Sequence, residues 1–465
     1  MCTKSIVIVF LVAASVLAQT PEDRNLLQRL ESLERSQELL KQELNQTKST
    51  NAALVQELDQ LKEVQSIQDE EARSALLSTA VSALGASLEE ANWSRATKSG
   101  MALRFYGFFR LDAYYQTART NNVIVPSFVL PEDGTRDDND DVFALDARLT
   151  RFAFDLDAGT IGDAKVTGKL ETDFANFPAG VPESRETPRI RLAYINLDFD
   201  GFAIRMGQDW DIISPLLPAA NNETLMWNVG NLGDRRPQIQ FRFEGGNAEE
   251  TQYSFRLSLG LTGAIDNGDL DTGVVGTERD GFDSGLPHVQ ARAGLEFGSW
   301  VEGKRMKLGA WGMIAQLETD TRFGGDRHFT PWTVGLDVEM PLFGSLSLRG
   351  ELWIGQALSD FRGNIAQVIN TATGEEISGW GGFAELVWNA TSDFSLTLGG
   401  SLDNADSDDL GTTGRDLNWT AYLASSYNWG GGLRSGLDVI FWETQYMDDT
   451  LGNMVRINFY TQLNF

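Results

Sequence analysis

From Asn453 to Phe465 apolar and polar side chains alternate. Val455, Ile457, Phe459, Thr461, Leu463 and Phe465 share one parity, and Arg456, Asn458, Tyr460, Gln462 and Asn464 share the other. A period of two puts these sets on opposite faces of a strand. In a soluble sandwich the apolar face looks inward at a core; in a membrane barrel it looks outward at lipid. The same alternation recurs in sixteen segments, approximately 104–115, 147–158, 163–174, 189–199, 202–209, 237–245, 251–262, 288–298, 306–318, 331–341, 344–356, 380–389, 393–402, 417–429, 432–444 and 453–465. The connections between them alternate in length. Short turns such as Asp200-Gly201, 341–344, 389–392 and Gly430-Gly431 take turns with long loops over 116–146, 175–188, 210–236, 263–287, 319–330, 357–379, 403–416 and 445–452. Short turns on one rim, long loops on the other and an even strand count predict an all-β transmembrane barrel of 16 antiparallel strands. All twelve prolines fall in loops, turns or strand ends, where no ladder hydrogen bond is lost. Near Tyr194 the apolar parity switches, because Ile190 and Leu192 are out of step with Ile195 and Leu197, which predicts a bulge.

The N-terminal part follows a different period. Positions 26, 30, 33, 37, 40, 44, 47, 51, 54, 58 and 61 keep a 4,3 spacing, and eight of these eleven are Leu. Such a seam predicts an α-helical coiled coil, with Gln37, Thr47 and Asn51 as polar seam residues that fix register. The repeat slips after Leu61 and resumes at Leu77, Val81, Leu84 and Leu88, as a stutter does. A lone amphipathic helix lying on a soluble domain is the alternative. Ahead of the helix, Lys4, the apolar run Ile6–Leu17 and Val16-Leu17-Ala18 read as a signal peptide; the run of twelve is shorter than the roughly 20 residues of a spanning helix. The expected organisation is a signal peptide over 1–18, a periplasmic coiled coil over 19–91, a linker over 92–103 and the barrel over 104–465. Cys2 is the single cysteine and leaves with the signal peptide, so neither disulfides nor thiol chemistry are expected.

Charge and composition remove several classes. With 66 acidic against 38 basic residues, a net charge of -28 argues against nucleic acid as a partner. Two histidines, His288 and His328, sit in no recognisable serine-histidine motif, and no metal-ligand cluster or phosphate loop appears. The protein is therefore not expected to be an enzyme or to carry a cofactor. The acidic runs Asp137–Asp141 and Asp406–Asp409 lie in long loops and lack the spacing of a dedicated calcium loop.

The inward face carries the candidate chemistry. Opposite the apolar positions stand Arg110, Arg151, Arg205, Arg242, Arg256, Arg292, Arg349, Arg434 and Arg456, together with Asp112, Asp155, Glu171, Asp173, Glu244, Glu296, Asp337, Glu339, Glu351 and Asp438. Guanidinium rows facing carboxylates produce a transverse field across a water-filled lumen; individually, most such residues act as paired charges that stabilise the wall. Arg110, Arg151, Arg205 and Arg242 are the foremost candidates for solute contact. The third long loop carries Ile212, Ile213, Leu216 and Leu217 with Pro215 and Pro218, too apolar for an exposed loop. It either folds into the pore or packs on the rim or on a neighbouring protomer. Trp210, Asp211, Asp234, Arg235 and Arg236 are its candidate constriction residues.

Four motifs in order, Arg148-Leu149-Thr150-Arg151-Phe152, Gly168-Lys169-Leu170-Glu171-Thr172-Asp173-Phe174, Arg189-Ile190-Arg191-Leu192-Ala193-Tyr194 and Gly207-Gln208-Asp209-Trp210, resemble those of DcaP-like porins. The terminal Phe465 resembles the C-terminal insertion signal of bacterial outer-membrane barrels. The resemblance implies a trimeric outer-membrane channel with a periplasmic coiled coil, taking up small anionic solutes such as carboxylates or phosphate. It adds Arg148, Arg189 and Arg191 to the pore-lining candidates, whose parity is ambiguous. Leu192 stands where a histidine is expected in that family, and the loops are strongly acidic. Outer-membrane lipid, a homotrimer and, through the coiled coil, the cell wall are the expected partners. A tether from membrane to cell wall, with the barrel mainly an anchor, is the alternative function.

Overall fold

The computed structural model describes residues 41, 101–132, 140–176, 187–220, 225–247, 249–263, 270 and 280–465. The signal peptide and the coiled coil read from the sequence lie outside the described residues, Lys41 apart.

The described strands run in chain order β1 (Ala102–Gln116), β2 (Val142–Asp146), β3 (Arg151–Ile161), β4 (Ala164–Asn176), β5 (Thr187–Asp198), β6 (Phe202–Trp210), β7 (Arg235–Gly246), β8 (Thr251–Gly260), β9 (His288–Gly298), β10 (Arg305–Ile314), β11 (Leu317–Phe323), β12 (Asp326–Phe329), β13 (Trp332–Phe343), β14 (Leu346–Gln356), β15 (Ser378–Asn389), β16 (Phe394–Ala405), β17 (Arg415–Gly430), β18 (Leu433–Tyr446) and β19 (Leu451–Asn464). Each barrel strand pairs antiparallel with its chain neighbour, and β1 pairs with β19, so the sheet closes on itself. Of the 17 strands in this sheet, β2 continues the line of β3 beside β1, which leaves sixteen staves. Closure also involves the last residue. The amide of Phe465 donates to the carbonyl of Gly107 at 3.0 Å, and the Gly107 amide donates back at 3.1 Å.

Two irregularities set side-chain direction. Between β2 and β3 the pairing with β1 slips by one residue, from Asp112 opposite Asp146 to Phe108 opposite Arg151. Thr150 fills the gap, its Oγ1 accepting the Arg110 amide at 3.1 Å. The second strand is thus interrupted at 147–150, inside the segment read from the sequence as continuous. On β5, Leu192 lies opposite Glu171 but Ile190 lies opposite Thr172, so Arg191 is the extra residue of a bulge. The parity switch expected near Tyr194 therefore falls at Arg191. It lets Arg189 and Arg191 share the inward face with Tyr194 and Asn196, while Ile190 and Ile195 point outward.

Outside, Phe105, Phe109, Ile195, Leu336, Leu352 and Leu398 stand more than half exposed on the wall. Each such side chain favours an apolar medium by about 1.5–3 kcal/mol, a surface suited to lipid rather than water. Phe199, Tyr253, Trp300, Phe343, Trp388 and Trp429 cluster beside the short turns, as an interfacial aromatic girdle does. On the opposite rim the segment read as a long loop at 319–330 contains the β11–β12 hairpin, whose Leu317 and Phe329 pack on Val368 and Ile369.

Candidate functional site: the barrel lumen and its loops

The described parts of the third long loop between β6 and β7, 211–220 and 225–234, fold into the barrel and dock on the opposite inner wall. The Ile212 amide donates to Gln290 on β9 at 2.8 Å. Glu351 on β14 accepts the Ser214 hydroxyl and, at 2.6 Å, the Leu216 amide. Glu385 on β15 accepts the Ala219 amide at 2.6 Å, and Asn418 on β17 donates to the Asn228 carbonyl at 2.7 Å. Wall side chains thus satisfy backbone groups that burial would otherwise orphan.

Apolar packing supplies the rest of the docking. Ile213 and Leu232 join Trp311, Met313 and Trp353, while Ala220, Met226 and Val229 join Tyr422, Ile440, Trp442 and Met454. These wall residues sit at inward positions, where a purely aqueous lumen would call for polar ones. Trp311, Trp353 and Tyr422 each lie over the glycine directly across from them, Gly335, Gly381 and Gly399. Flattened rings leave room for the loop. At Gly230 a Cβ would stand 2.2 Å from the Gly382 carbonyl oxygen, so only glycine allows the approach.

The sixth long loop, 357–377, locks onto the third. The amides of Gly233 and Asn228 donate to the carbonyls of Phe361 and Arg362 at 2.9 and 2.8 Å. Arg236, fully buried, pairs with Asp211 at 2.9 Å and with Asp360 at 2.7 Å, its guanidinium 4.1 Å above the Phe361 ring. Asp234 holds Arg235 at 3.1 Å and Arg362 at 2.7 Å. Burial pushes the Asp234 carboxyl up, but these two guanidiniums outweigh it and hold it below the usual range. For Asp211, burial prevails over Arg236 and the carboxyl is raised. The first loop closes the stack, with Ser127 accepting from Asn228 and Asn418 and the Val129 amide donating to Thr444.

Among the described residues, the docked loops cover inward positions of β10, β14, β15, β17 and β18 and reach Gln290 at the start of β9, and the less covered inner wall is that of β3 to β9. Four of its strands carry an arginine row, Arg205, Arg242, Arg256 and Arg292. Arg256 stands directly opposite both Arg242 and Arg292, and Arg205 lies beside Arg242. Neighbouring strands are about 4.8 Å apart. Barrel strands tilt by roughly 35–45°, so a row across them descends along the pore instead of circling it. Three carboxylates face these four guanidiniums. Asp209 is shared by Arg205 at 2.8 Å and Arg242 at 3.1 Å, Glu244 stands 3.6 Å from Arg256, and Asp337 is 2.6 Å from Arg292. A second group, on β3 to β5, sets Arg151, Arg189 and Arg191 against Glu171 and Asp173. Arg151, Arg189 and Arg256 keep 25%, 26% and 30% of their side-chain surface open.

The structure divides the sequence candidates. Arg151, Arg189, Arg205, Arg242 and Arg256 line the open wall, with Arg191, Glu171 and Asp173 behind them. Arg110 does not offer itself to solute: Asp112 holds it at 2.5 Å, and it stacks 4.3 Å from the Tyr460 ring. Arg148 and Arg456 are likewise buried. Trp210 ends β6, Arg235 and Arg236 begin β7, and with Asp211 and Asp234 they form the base of the inward loop. Asp360 and Arg362, from the sixth loop, were not among the sequence candidates. Their one legible trace is an Asp and an Arg in a loop whose destination only the fold reveals. His288 is buried edge-on to Phe361, and His328 lies on the rim hairpin. Among the described residues, no group of three or more His, Cys, Asp or Glu side chains is placed to hold a metal.

No protein-family model matches the chain, and no curated protein does. Among solved structures, the outer membrane channel DcaP of Acinetobacter baumannii is similar at 19% identity and a TM-score of 0.62, over 79% of this chain and 99% of that one. The anion-selective porin from Comamonas acidovorans follows at 11% identity and 0.49, over 78% and 100%. Salmonella typhi OmpF in complex with daunomycin follows at 10% and 0.49, over 79% and 99%. The fold of this chain is that of a DcaP-like outer-membrane channel.

Proposed function

We propose that the protein is a porin of the bacterial outer membrane, a passive water-filled channel for small hydrophilic solutes that favours small anions. The carrying observation is the uneven lumen. Among the described residues the docked loops lie against β10 to β18, and the less covered wall bears four arginines on β6 to β9 against three carboxylates, Asp209 on β6, Glu244 on β7 and Asp337 across on β13. Guanidiniums in a narrow, low-dielectric passage raise the local concentration of anions and orient them, while the paired carboxylates limit how tightly any one anion is held. Solutes cross down their gradients without covalent chemistry. Carboxylates and phosphate are the solute classes that guanidinium geometry fits. Three copies associate through the apolar outer wall and the coiled coil, which lies on the periplasmic side.

Reconstituted into lipid vesicles, the native oligomer admits acetate and phosphate faster than cations of similar size. Vesicles that stay tight to all of them contradict the channel, and a protein that runs as a monomer in mild detergent contradicts the trimer.

A further inference from the structure

Within the arginine row of the wall, Arg256 is bonded differently from its neighbours. Arg205 donates to Asn196 and Asp209, Arg242 to Gln240 and Asp209, and Arg292 to Asp337. Arg256 donates to no acceptor among the described residues. Glu244 stands 3.6 Å away, too far for a hydrogen bond, and the Arg256 Nε is buried without a protein partner. Glu244 is equally uncommitted, its carboxylate in no hydrogen bond and 64% of its side-chain surface open.

Both side chains line a recess of about 400 Å³ that spans β7 to β10 on the short-turn side of Arg256. The other charges around it are taken. Asp337 holds Arg292 at 2.6 Å, Glu296 holds Arg305 at 2.7 Å, and Lys307 pairs with Glu339 at 3.0 Å. Gly294 keeps the floor open, because it shares the inward parity of Arg292 and Glu296 and a Cβ there would stand 2.8 Å from the Ser254 Oγ. The recess therefore presents one uncommitted guanidinium beside one uncommitted carboxylate. A simple anion placed there meets attraction and repulsion together. A small zwitterion, whose carboxylate and ammonium are one carbon apart, meets both charges when turned head to tail. Its carboxylate takes the N–H groups of Arg256 and its ammonium donates to Glu244. Arg242 and Arg292, directly across from Arg256 on either side, add to the pull on the carboxylate end.

Resting on the porin reading above for its water-filled lumen, though not for its anion preference, we propose that Arg256 and Glu244 form a binding subsite for small zwitterions of the α-amino acid class. Solutes of this class pause there as they cross, and chloride current falls while the subsite is occupied.

The test records potassium chloride current through the native oligomer in planar bilayers while L-alanine, L-lactate or lactamide is added. These three have nearly the same size and differ in charge. In the wild type, alanine lowers the current at concentrations where lactamide has no effect, and does so more strongly than lactate. Arg256→Gln weakens the apparent affinity for both alanine and lactate by roughly fivefold or more. Glu244→Gln, at an exposed side chain, weakens alanine by a similar factor but not lactate, so the order of the two reverses. A conducting wild type on which alanine acts no more strongly than lactamide overturns the subsite. Alanine affinity unchanged in E244Q overturns it too, because the recess would then hold carboxylates alone. A wild type that carries no current contradicts the porin reading itself, which separates that failure from the failure of the subsite.

Discussion

The indole N–H of Trp353 donates to the carbonyl of Gly230 across the barrel interior at 2.7 Å. One partner belongs to the wall, the other to the third loop, and the ring lies flat over Gly381. This contact fixes how far the loop reaches, and so which side of the lumen stays open.

Replacing Gly230 by Ala puts a methyl group against the Gly382 carbonyl and undocks the loop. Single-channel conductance rises and anion preference falls. Trp353→Phe loses the hydrogen bond, a cost of about 0.5–1.5 kcal/mol, and part of the ring's packing against Ile213 and Leu232, but keeps the loop docked and leaves conductance close to wild type. Equal single-channel currents in G230A and wild type would show that the loop does not set the pore size.

The barrel was legible in the sequence and the filling of its interior was not. Period-two alternation along segments such as 453–465 reports which face meets lipid, because one neighbouring solvent decides it. Loop docking depends on distant surfaces, so the apolar character of Ile212 and Ile213 left three destinations open. Inward apolar residues on the facing wall, such as Trp353, Tyr422 and Trp442, carried the missing signal. Arg110 and Arg148 show the limit of parity: it gives the face of a side chain, not whether a carboxylate or a loop covers it. Arg189 and Arg191 were ambiguous because a bulge resets parity within their own strand.

Removing the carboxylate that Arg205 and Arg242 share strengthens the positive excess of the wall. Asp209→Asn therefore raises the anion-to-cation permeability ratio, and charge reversal at Arg151 and Arg205 together lowers it. Reversal potentials of the three proteins, recorded in one lipid at one salt gradient, rank them in that order. Selectivity that ignores both changes would remove the proposed filter.

Arg236 is fully buried between Asp211 and Asp360. Arg236→Met strands two buried carboxylates and destabilises the folded barrel by about 3–5 kcal/mol. Heat-modifiable gel mobility reads this as conversion to the unfolded band at a lower temperature than wild type. Arg434→Met, at an exposed wall position, leaves that temperature within error of wild type.

Phe465 closes the ring against Gly107, and its side chain lies 5.2 Å from Phe109 and 5.6 Å from Phe105. Deleting it removes aromatic contacts of about 0.5–1.5 kcal/mol each beyond their buried area. Refolding into vesicles slows, as the folded fraction on unheated gels shows over time. Unchanged refolding would mean that the terminal strand closes the barrel without its last ring.

The central claim is that arginines on the open wall govern which ions pass, and its most direct test is the reversal potential of the wild-type oligomer under a salt gradient, at low and at high ionic strength. The account predicts anion preference that weakens as the screening length drops from about 10 Å at 0.1 M to about 3 Å at 1 M salt. Cation preference at low ionic strength would contradict it and would assign control of permeation to the acidic loops.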